Sequence, residues 1–366
     1  MRIPMVNLRI PLARTQDAWR HNLNQMDQRS QYILGPQVAE FEREFASAFG
    51  AKHSVGVSNG TTAIELCLRD AGITNQVVTT ALTAPFTGVA IQAAGATPVF
   101  ADVHPDTLLI DFENAANRVN RRTGAVVPVH LYGRPCDMAQ WRPVVRSHGL
   151  VIVQDACQAH GALSGGKPFT AFSPYVAYSF YPTKNLGCLG DGGAIVTSNS
   201  RIASRLACLR DGGRKNGEQV SRMRGGINAR LDEIHACYLR AFLPHLNTWN
   251  AERAKLAALY DAVLDGVPAV RRLQSVTGSV NHLYVVRVKR RDSLRKYLAQ
   301  LGIGSAVHYP VPLHLHPAFS DCKQKRGDLP VAEKAAKEIV SLPLWPGMTD
   351  SQVQEVAEKV RQFFRS

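Results

Sequence analysis

Short apolar runs alternate with amphipathic segments along the first part of the chain. The runs are bounded by Gly, Pro and small polar residues, a pattern that predicts buried strands, whereas the segments between them carry apolar residues at helical spacing. Strands that alternate with helices in this way predict βαβ units and a mostly parallel sheet. The predicted strands cover residues 53–57, 77–80, 97–101, 125–131 and 151–155.

The pattern changes near residue 228. The elements predicted beyond this point are a long helix from Asn228 to Tyr260, a strand over 281–288, a helix over 292–301 and a final helix from about residue 349. These elements indicate a smaller α+β unit joined through a long helix. We therefore predict a large α/β domain with an N-terminal arm over residues 1–230, and a linking helix with a small α+β domain over residues 231–366.

The composition is that of an ordinary globular protein, with 45% hydrophobic and 20% charged residues. The N-terminus lacks the apolar core of a signal peptide, and no run of about 18 apolar residues follows, so we expect a cytoplasmic protein without a membrane partner. The seven cysteines are scattered and have no metal-binding spacing. They indicate reduced thiols and predict no metal site.

The positive charge raises the question of a polyanionic partner. The formal net charge is +14 and the sequence pI is about 9.7. However, the basic residues are spread along the chain, with only short runs at 289–291 and 323–326, and no nucleic-acid-binding motif accompanies them. We therefore expect no nucleic-acid partner and favour a small anionic substrate such as a sugar nucleotide.

One lysine is distinguished by its surroundings. Lys184 lies between an aromatic run at 178–181 and a glycine-rich turn at 187–193, so its amine is expected on a constrained segment near packed core. Burial lowers the pKa of such an ammonium group, and the free amine can form a Schiff base with a carbonyl, most often that of pyridoxal phosphate (PLP). An ordinary solvated loop lysine is the alternative.

Two further segments are candidates for the same site. Residues 58–62 place Ser, Asn, Gly and Thr between a strand and a helix, where free N–H groups can bind a phosphate or simply receive an N-cap. Asp155 closes an apolar strand and should project from the carboxyl edge of the sheet, where ligands bind. There it can keep a pyridine nitrogen protonated, or it can cap a turn.

Several segments together carry a resemblance over essentially the whole chain. They are 58–63, 95–103, 128–133, 155–162, 179–191, 228–233, 282–284 and 308–310. In this order they resemble the DegT/DnrJ/StrS family of sugar aminotransferases. The resemblance implies a fold-type I PLP-dependent transferase, with a mostly parallel seven-stranded sheet flanked by helices in a large domain and a smaller α+β C-terminal domain.

The resemblance also implies roles around the cofactor ring. Lys184 falls on the Schiff-base lysine, Asp155 on the partner of the pyridine nitrogen, and Gln158 on the residue that hydrogen-bonds the ring hydroxyl oxygen. The family usually places an aromatic residue over the ring. The aligned position here is Ala84, and Phe86 is our candidate for the stacking residue.

Further residues are implied as contacts to the phosphate. Ser179 and the Gly60-Thr61 turn fall on phosphate contacts within the chain. Asn228 falls on a phosphate ligand that the family delivers from the neighbouring subunit. The resemblance therefore implies a homodimer with shared active sites.

Substrate contacts are less defined. His308 and Tyr309 are candidates, with basic help from Arg210, Arg214 or Lys215 near the expected subunit interface. The resemblance leaves open which keto sugar and nucleotide are used and where the keto group lies. It also leaves open whether the amino donor is L-glutamate or L-glutamine.

The implied activity is transfer of an amino group from L-glutamate or L-glutamine to a keto sugar, nucleotide-linked in most of the family. The reaction is ping-pong and passes through the pyridoxamine phosphate form of the cofactor. One alternative is another PLP-dependent sugar modification; relatives that perform deoxygenation replace the lysine by histidine, and Lys184 argues against that. A non-catalytic, regulatory PLP-binding protein is the other alternative.

Overall fold

The computed structural model describes residues 2–215 and 217–365. Helices and strands alternate over the first part of the chain. In order they are α1 Arg9–Arg29, α2 Pro36–Ala48, β1 His53–Val57, α3 Gly60–Asp70, β2 Gln76–Thr80, α4 Pro85–Ala93, β3 Thr97–Ala101, α5 Phe112–Ala116, β4 Thr123–Val127, α6 Trp141–His148, β5 Val151–Ile152, β6 Gln154–Asp155, β7 Val176–Ser179, β8 Gly193–Thr197 and α7 Ser200–Leu209.

The remaining elements form the C-terminal part. They are α8 Glu233–Phe242, α9 Leu246–Leu264, β9 Arg271–Arg272, β10 Tyr284–Arg287, α10 Arg291–Gln300, α11 Pro330–Glu338, β11 Ile339–Leu342 and α12 Asp350–Arg365. Strands β11, β10 and β9 make an antiparallel sheet in that order. An apolar cluster joins this sheet to α9, α10 and α12.

A seven-stranded sheet lies at the centre of the N-terminal part. Only Val153 separates β5 from β6, and the two continue one another because Val153 N donates to Val126 O and Asp155 N to Pro128 O, both at 3.0 Å. With β5 and β6 counted as one strand, the order is β3, β2, β4, β5/β6, β7, β8, β1. Every neighbouring pair is parallel except the two that β8 makes. The predicted fold class is confirmed.

The strands are buried because helices cover the sheet. All five residues of β8 are buried, and four of five in β1 and β2. Parallel strands covered on both faces carry continuous apolar runs, which is the pattern seen in the sequence. The carboxyl ends of β4, β6 and β7 therefore meet at one edge, next to the start of α3.

The predicted long helix is divided. It begins at Glu233 rather than at Asn228, and a 3-10 turn at 243–245 separates α8 from α9. Pro244 lies in that turn, and proline interrupts a helix because it lacks an N–H and clashes with the preceding turn. The domain boundary near residue 230 stays a prediction.

Two predicted strands are shorter than expected. The strand predicted over 125–131 ends at Val127, just before Pro128, which cannot donate to a ladder, and residues 131–133 form a 3-10 turn. The strand predicted over 281–288 begins at Tyr284. The residues that are not strand form loops whose backbone bonds other parts of the site, as when Tyr132 N donates to Gln158 Oε1 and His282 N to Tyr132 O.

The N-terminal arm packs on the C-terminal part. Ile3 pairs with Ile303 in a parallel bridge and is buried in the C-terminal apolar cluster. After it, α1 packs along α8. This path brings Met5 and Val6 to the edge of the cavity described below.

Over residues 2–215 and 217–365, no helix is long and apolar enough to cross a bilayer. The same residues contain no group of three or more His, Cys, Asp or Glu side chains placed to hold a metal ion. All seven cysteines are free thiols.

Candidate active site

A cavity of about 590 Å³ opens at the carboxyl edge of the central sheet. It lies where ligands of open α/β sheets bind, outside the ends of the strands. Residues from the C-terminal part and the N-terminal arm close its other side. The predicted site residues that line it are Gly60, Thr61, Phe86, Asp155, Gln158, Ser179, Lys184, His308 and Tyr309.

Lys184 is held on a tight turn beyond β7. Its backbone N–H donates to Tyr181 O at 2.9 Å. The turn needs glycine at 187, because a Cβ there would lie 2.5 Å from Pro182 O. Burial lowers the pKa of Lys184, while Cys157 and Asp155 act in the opposite direction. Because its pKa is lowered, more of the amine is in the neutral, nucleophilic form than in an exposed lysine.

Asp155 ends β6 as a buried carboxylate with two partners. Thr87 Oγ1 donates to Oδ2 at 2.7 Å, and Cys157 N donates to Oδ1 at 3.1 Å. A carboxylate has about four lone-pair sites, so it can still accept a hydrogen bond from a ligand. No local sequence pattern distinguishes Thr87, which directly follows Phe86.

Gln158 has its amide fixed by two tyrosines. Its Oε1 accepts from Tyr132 N at 2.7 Å, and its Nε2 donates to the Tyr309 hydroxyl at 3.0 Å. Because the oxygen is occupied by the backbone, the amide nitrogen is the group that faces the cavity. An N–H donor is what a ring hydroxyl oxygen requires.

The start of α3 forms an anion cradle with the end of β7. Asn59 caps the helix by accepting from Thr62 N at 2.8 Å, and the N–H groups of Gly60 and Thr61 belong to the first turn, which has no acceptor within the helix. A Cβ on Gly60 would lie 2.7 Å from Ser179 Cβ, so only glycine lets the helix start approach this closely. Such a helix N-terminus suits a phosphate.

Two neutral histidines, His282 and His308, line the cavity on the side that the C-terminal part forms. Asn185 donates through Nδ2 to Asn250 Oδ1 at 2.8 Å and to Val280 O at 3.0 Å, so its Oδ1 is an acceptor. His282 Nδ1 lies 3.1 Å from that oxygen and is therefore the protonated nitrogen of the ring. Burial, together with Lys184, lowers the pKa of His282 well below its usual range.

The second histidine, His308, is neutral for the same reasons. Burial and then Lys184 lower its pKa to about 4. Its Nδ1 lies 2.8 Å from Ser341 Oγ, and its backbone oxygen accepts from the Tyr132 hydroxyl. His160, by contrast, does not line the cavity but packs against Tyr178, with ring centroids 5.3 Å apart.

Four predicted residues lie elsewhere. Arg210, Arg214 and Lys215 line a second cavity of about 660 Å³, where Arg214 pairs with Asp211 at 2.6 Å. Asn228 is exposed and bridges to Asp211. None of the four lines the first cavity in the described chain. Their roles depend on a second subunit and stay predictions.

The stacking residue also stays a prediction. Phe86 lines the cavity from the second position of α4 and is 60% exposed. Ala84, the aligned position, is the N-cap of the same helix and also lines the cavity. An exposed ring at a cavity wall is available to a ligand, which is compatible with the proposed contact.

The polar groups of the cavity fit PLP. The phosphate matches the start of α3 and the Ser179 hydroxyl, and the pyridine nitrogen matches Asp155. The ring oxygen matches the amide of Gln158, and the aldehyde matches the amine of Lys184. Each group of the cofactor therefore has a partner of the right chemistry.

Comparison with known proteins gives concordant results. A family model described as the DegT/DnrJ/EryC1/StrS aminotransferase family matches residues 14–361. A Streptomyces venezuelae protein named dTDP-3-amino-3,4,6-trideoxy-alpha-D-glucose transaminase is 43% identical, covering 91% of this chain and 88% of the relative. A Geobacillus stearothermophilus protein named pleiotropic regulatory protein is 39% identical, covering 100% and 99%.

A solved structure is also similar to this chain over its whole length. The crystal structure of S. venezuelae DesV in complex with a ketimine intermediate has a TM-score of 0.95 and 39% sequence identity. The match covers 100% of this chain and 99% of the other. The sequence family and the fold therefore agree along the full length.

Proposed function

The chain belongs to the DegT/DnrJ/EryC1/StrS aminotransferase family, and on that premise we propose that it aminates the C3 keto group of a nucleotide-linked sugar. Enzymes of this family are PLP-dependent. The observation that carries the proposal is the meeting of Lys184, Asp155 and the start of α3 in one cavity. The S. venezuelae relative, whose name specifies a dTDP-linked 3-amino sugar, supports the nucleotide and the C3 position.

The chain's own residues define how the reaction is carried out. When bound, PLP supplies an electron sink for the charge that develops at the reacting carbon. The start of α3 and Ser179 would hold the phosphate, and Asp155, fixed by Thr87, would accept a hydrogen bond from the ring nitrogen. The lowered pKa of Lys184 lets its Nζ accept the proton that leaves the α carbon of the donor and return it as an acid.

The amino donor in the proposal is L-glutamate or L-glutamine, and the keto acid leaves before the sugar binds. The order follows from a ping-pong reaction in which both substrates use Lys184 in turn. A cytoplasmic location belongs to the proposal and fits a chain whose cysteines are all free thiols.

A homodimer completes the proposal. Asn228 is exposed beside the second cavity and would reach the phosphate of a partner subunit. Arg210, Arg214 and Lys215 line that cavity and would lie near the same interface. Light scattering at several concentrations tests this arrangement: a dimer supports it, and a monomer that transaminates contradicts it.

The reaction is best tested in reverse. The protein with PLP is mixed with 2-oxoglutarate and with dTDP- or UDP-linked 3-amino or 4-amino sugars, and the L-glutamate formed is measured. The proposal predicts glutamate from a 3-amino sugar, with a preference for one nucleotide. Glutamate from the 4-amino sugars alone would overturn the C3 assignment. PLP binding with no glutamate from 2-oxoglutarate and no glutamine from 2-oxoglutaramate, whichever amino sugar is supplied, would favour the regulatory alternative.

A further inference from the structure

Arg253 is a second basic side chain that lines the cavity. Of the described residues that line the cavity, only Lys184 and Arg253 have a Lys or Arg side chain. Arg253 lies on α9 and is 5% exposed. Its Nη1 donates to His282 O at 3.3 Å and to Leu344 O at 3.1 Å, while its Nε has no hydrogen-bond partner among residues 2–215 and 217–365.

This arginine has no carboxylate partner in the described part of the chain. Among the other buried arginines, Arg210 pairs with Glu42 and Arg287 pairs with Glu338 at 2.7 Å, whereas Arg134 also has no described ion pair but lies outside the cavity. Asp155, the buried cavity carboxylate, is already held by Thr87 and the backbone of Cys157. A buried cation without a counter-charge is costly, and because Arg253 lines the cavity, an anion that binds there can supply one.

Arg253 nevertheless keeps its charge. Burial lowers its pKa to about 10, which leaves the guanidinium protonated at neutral pH. Its cavity neighbours His282 and His308 are neutral at that pH, because burial lowers the pKa of both. Once Lys184 is bound to the cofactor, Arg253 is therefore the fixed cation that the described cavity residues offer to a substrate.

We propose that Arg253 binds the α-carboxylate of the amino donor. The inference rests on the proposed function and extends it to the choice of donor. A guanidinium presents planar N–H pairs that match a carboxylate. The cofactor phosphate has its own cradle at the start of α3. The diphosphate of a nucleotide-linked sugar is attached away from the reacting carbon, whereas the α-carboxylate of the donor is bonded to it. Arg253 accordingly selects α-amino acids as donors and acts in the donor half-reaction.

The test uses two donors that differ at one group. L-glutamate carries an α-carboxylate, and L-isoglutamine carries an α-amide in the same place. The PLP-loaded protein is mixed with each, and conversion of the cofactor is followed by absorbance. We expect the wild type to prefer the α-acid by about 10- to 100-fold, the range for a hydrogen bond to a charged group. In Arg253→Met the two donors should react at nearly equal, slow rates.

A binding measurement complements the rates. 2-Methyl-L-glutamate has no α proton to lose, so its apparent dissociation constant reports binding and exchange with Lys184 without the proton transfer that follows. We expect that constant to rise about 10- to 100-fold in Arg253→Met. The half-reaction that starts from the pyridoxamine phosphate form and a keto sugar should keep its rate, because it involves no α-carboxylate.

A matched control separates donor binding from folding. Arg134 is also buried, its pKa is also lowered to about 10 by burial, and it also donates to a backbone carbonyl, Thr107 O at 2.6 Å, but it lies outside the cavity. Arg134→Lys should retain the full preference for L-glutamate. Arg253→Lys, which keeps a charge but not the planar fork, should lose about tenfold of it.

The outcomes distinguish a failure of the proposed function from a failure of the assignment of Arg253. If the wild type converts with neither of these donors and not with L-glutamine either, the proposed function fails at its first step. If the wild type converts and Arg253→Met keeps the preference for the α-acid, the assignment of Arg253 is overturned. If Arg253→Met does not fold, Arg253→Lys decides: an unchanged preference contradicts the assignment, and a reduced one supports it.

Discussion

The two sides of the cavity differ in how their polar groups are paired. The cofactor wall consists of Gly60, Thr61, Asp155, Gln158 and Ser179, and it is built from strand ends and a helix start. The substrate wall comes from the C-terminal part and the N-terminal arm. Its members are Met5, Arg253, His282, His308 and Leu344.

On the cofactor wall, Asp155 and Gln158 already have partners within the chain that fix their geometry. On the substrate wall, His282 and His308 are neutral and also have partners within the chain, namely Asn185 and Ser341. The difference between the walls therefore lies at Arg253, whose Nε has no hydrogen-bond partner among the described residues. A resident cofactor needs a fixed frame, whereas a substrate that enters and leaves needs a group that is free to bind it.

The largest effect is expected at the residue between the two walls. Lys184→Ala removes both the covalent attachment and the group that moves the proton, so turnover should fall by at least about 10⁴-fold. Phosphate binding by the cofactor wall should persist, and PLP should still bind reversibly. Single-turnover rates and equilibrium dialysis measure the two properties. A variant that turns over at more than a hundredth of the wild-type rate would remove Lys184 from its role.

Thr87→Val tests whether the cofactor wall depends on its internal pairing. The variant loses the 2.7 Å bond to Asp155, and the rate should fall about tenfold with unchanged substrate KM. Thr79→Val is the matched control, because Thr79 is also buried and donates at 2.7 Å to a backbone carbonyl, Val127 O. Equal rate losses in both variants would mean that Thr87 is only structural.

His308→Ala tests the substrate wall. The neutral ring is expected to contact the sugar, so the acceptor KM should rise about fivefold to tenfold while the donor half-reaction is unchanged. His316→Ala, on a neighbouring turn outside the cavity, serves as the control. If His308→Ala leaves both KM and kcat for the acceptor unchanged, the residue does not contact the sugar.

The smallest effect concerns stability behind the cofactor wall. Burial lowers the pKa of His160 to about 3, below its unfolded value. Below pH 6.5 the unfolded state therefore binds a proton that the folded state does not, and the free energy of unfolding falls as the pH falls. The loss is on the order of 1 kcal/mol per pH unit for this group, and it is absent above pH 6.5.

Denaturant titrations from pH 5 to 8 check this with His160→Leu, which should have a shallower slope below pH 6.5. Among the described residues, the His160 ring makes no hydrogen bond of good geometry and only a weak contact with the Ser179 backbone, so leucine removes the titration with little loss of bonding. Identical slopes in wild type and His160→Leu would refute the assignment.

The sequence predicted the cofactor wall better than the substrate wall. Asp155 and Gly60 stand at strand and helix ends, which leave local signals in apolar runs and in clusters of small polar residues. The role of Gln158 required the family resemblance, since no local pattern distinguishes it. The sheet was predictable for the same reason, whereas Pro244 divides a helix that apolar spacing alone predicted as continuous.

Residues that act through tertiary contacts had no such signal. Arg253 lies in the middle of α9 and looks like any helical arginine until His282 and Leu344 are placed beside it. Thr87 became significant only when the start of α4 was positioned next to Asp155. The domain boundary and the subunit contribution of Asn228 stay predictions.

The central claim is that Lys184 holds the cofactor and releases it to an amino donor. The most direct measurement is borohydride reduction of the PLP-loaded protein, followed by mass spectrometry of its peptides. We expect a reduced cofactor adduct on Lys184, and its loss when L-glutamate is added before the reductant. An adduct on another lysine, or none at all, would contradict this role of Lys184.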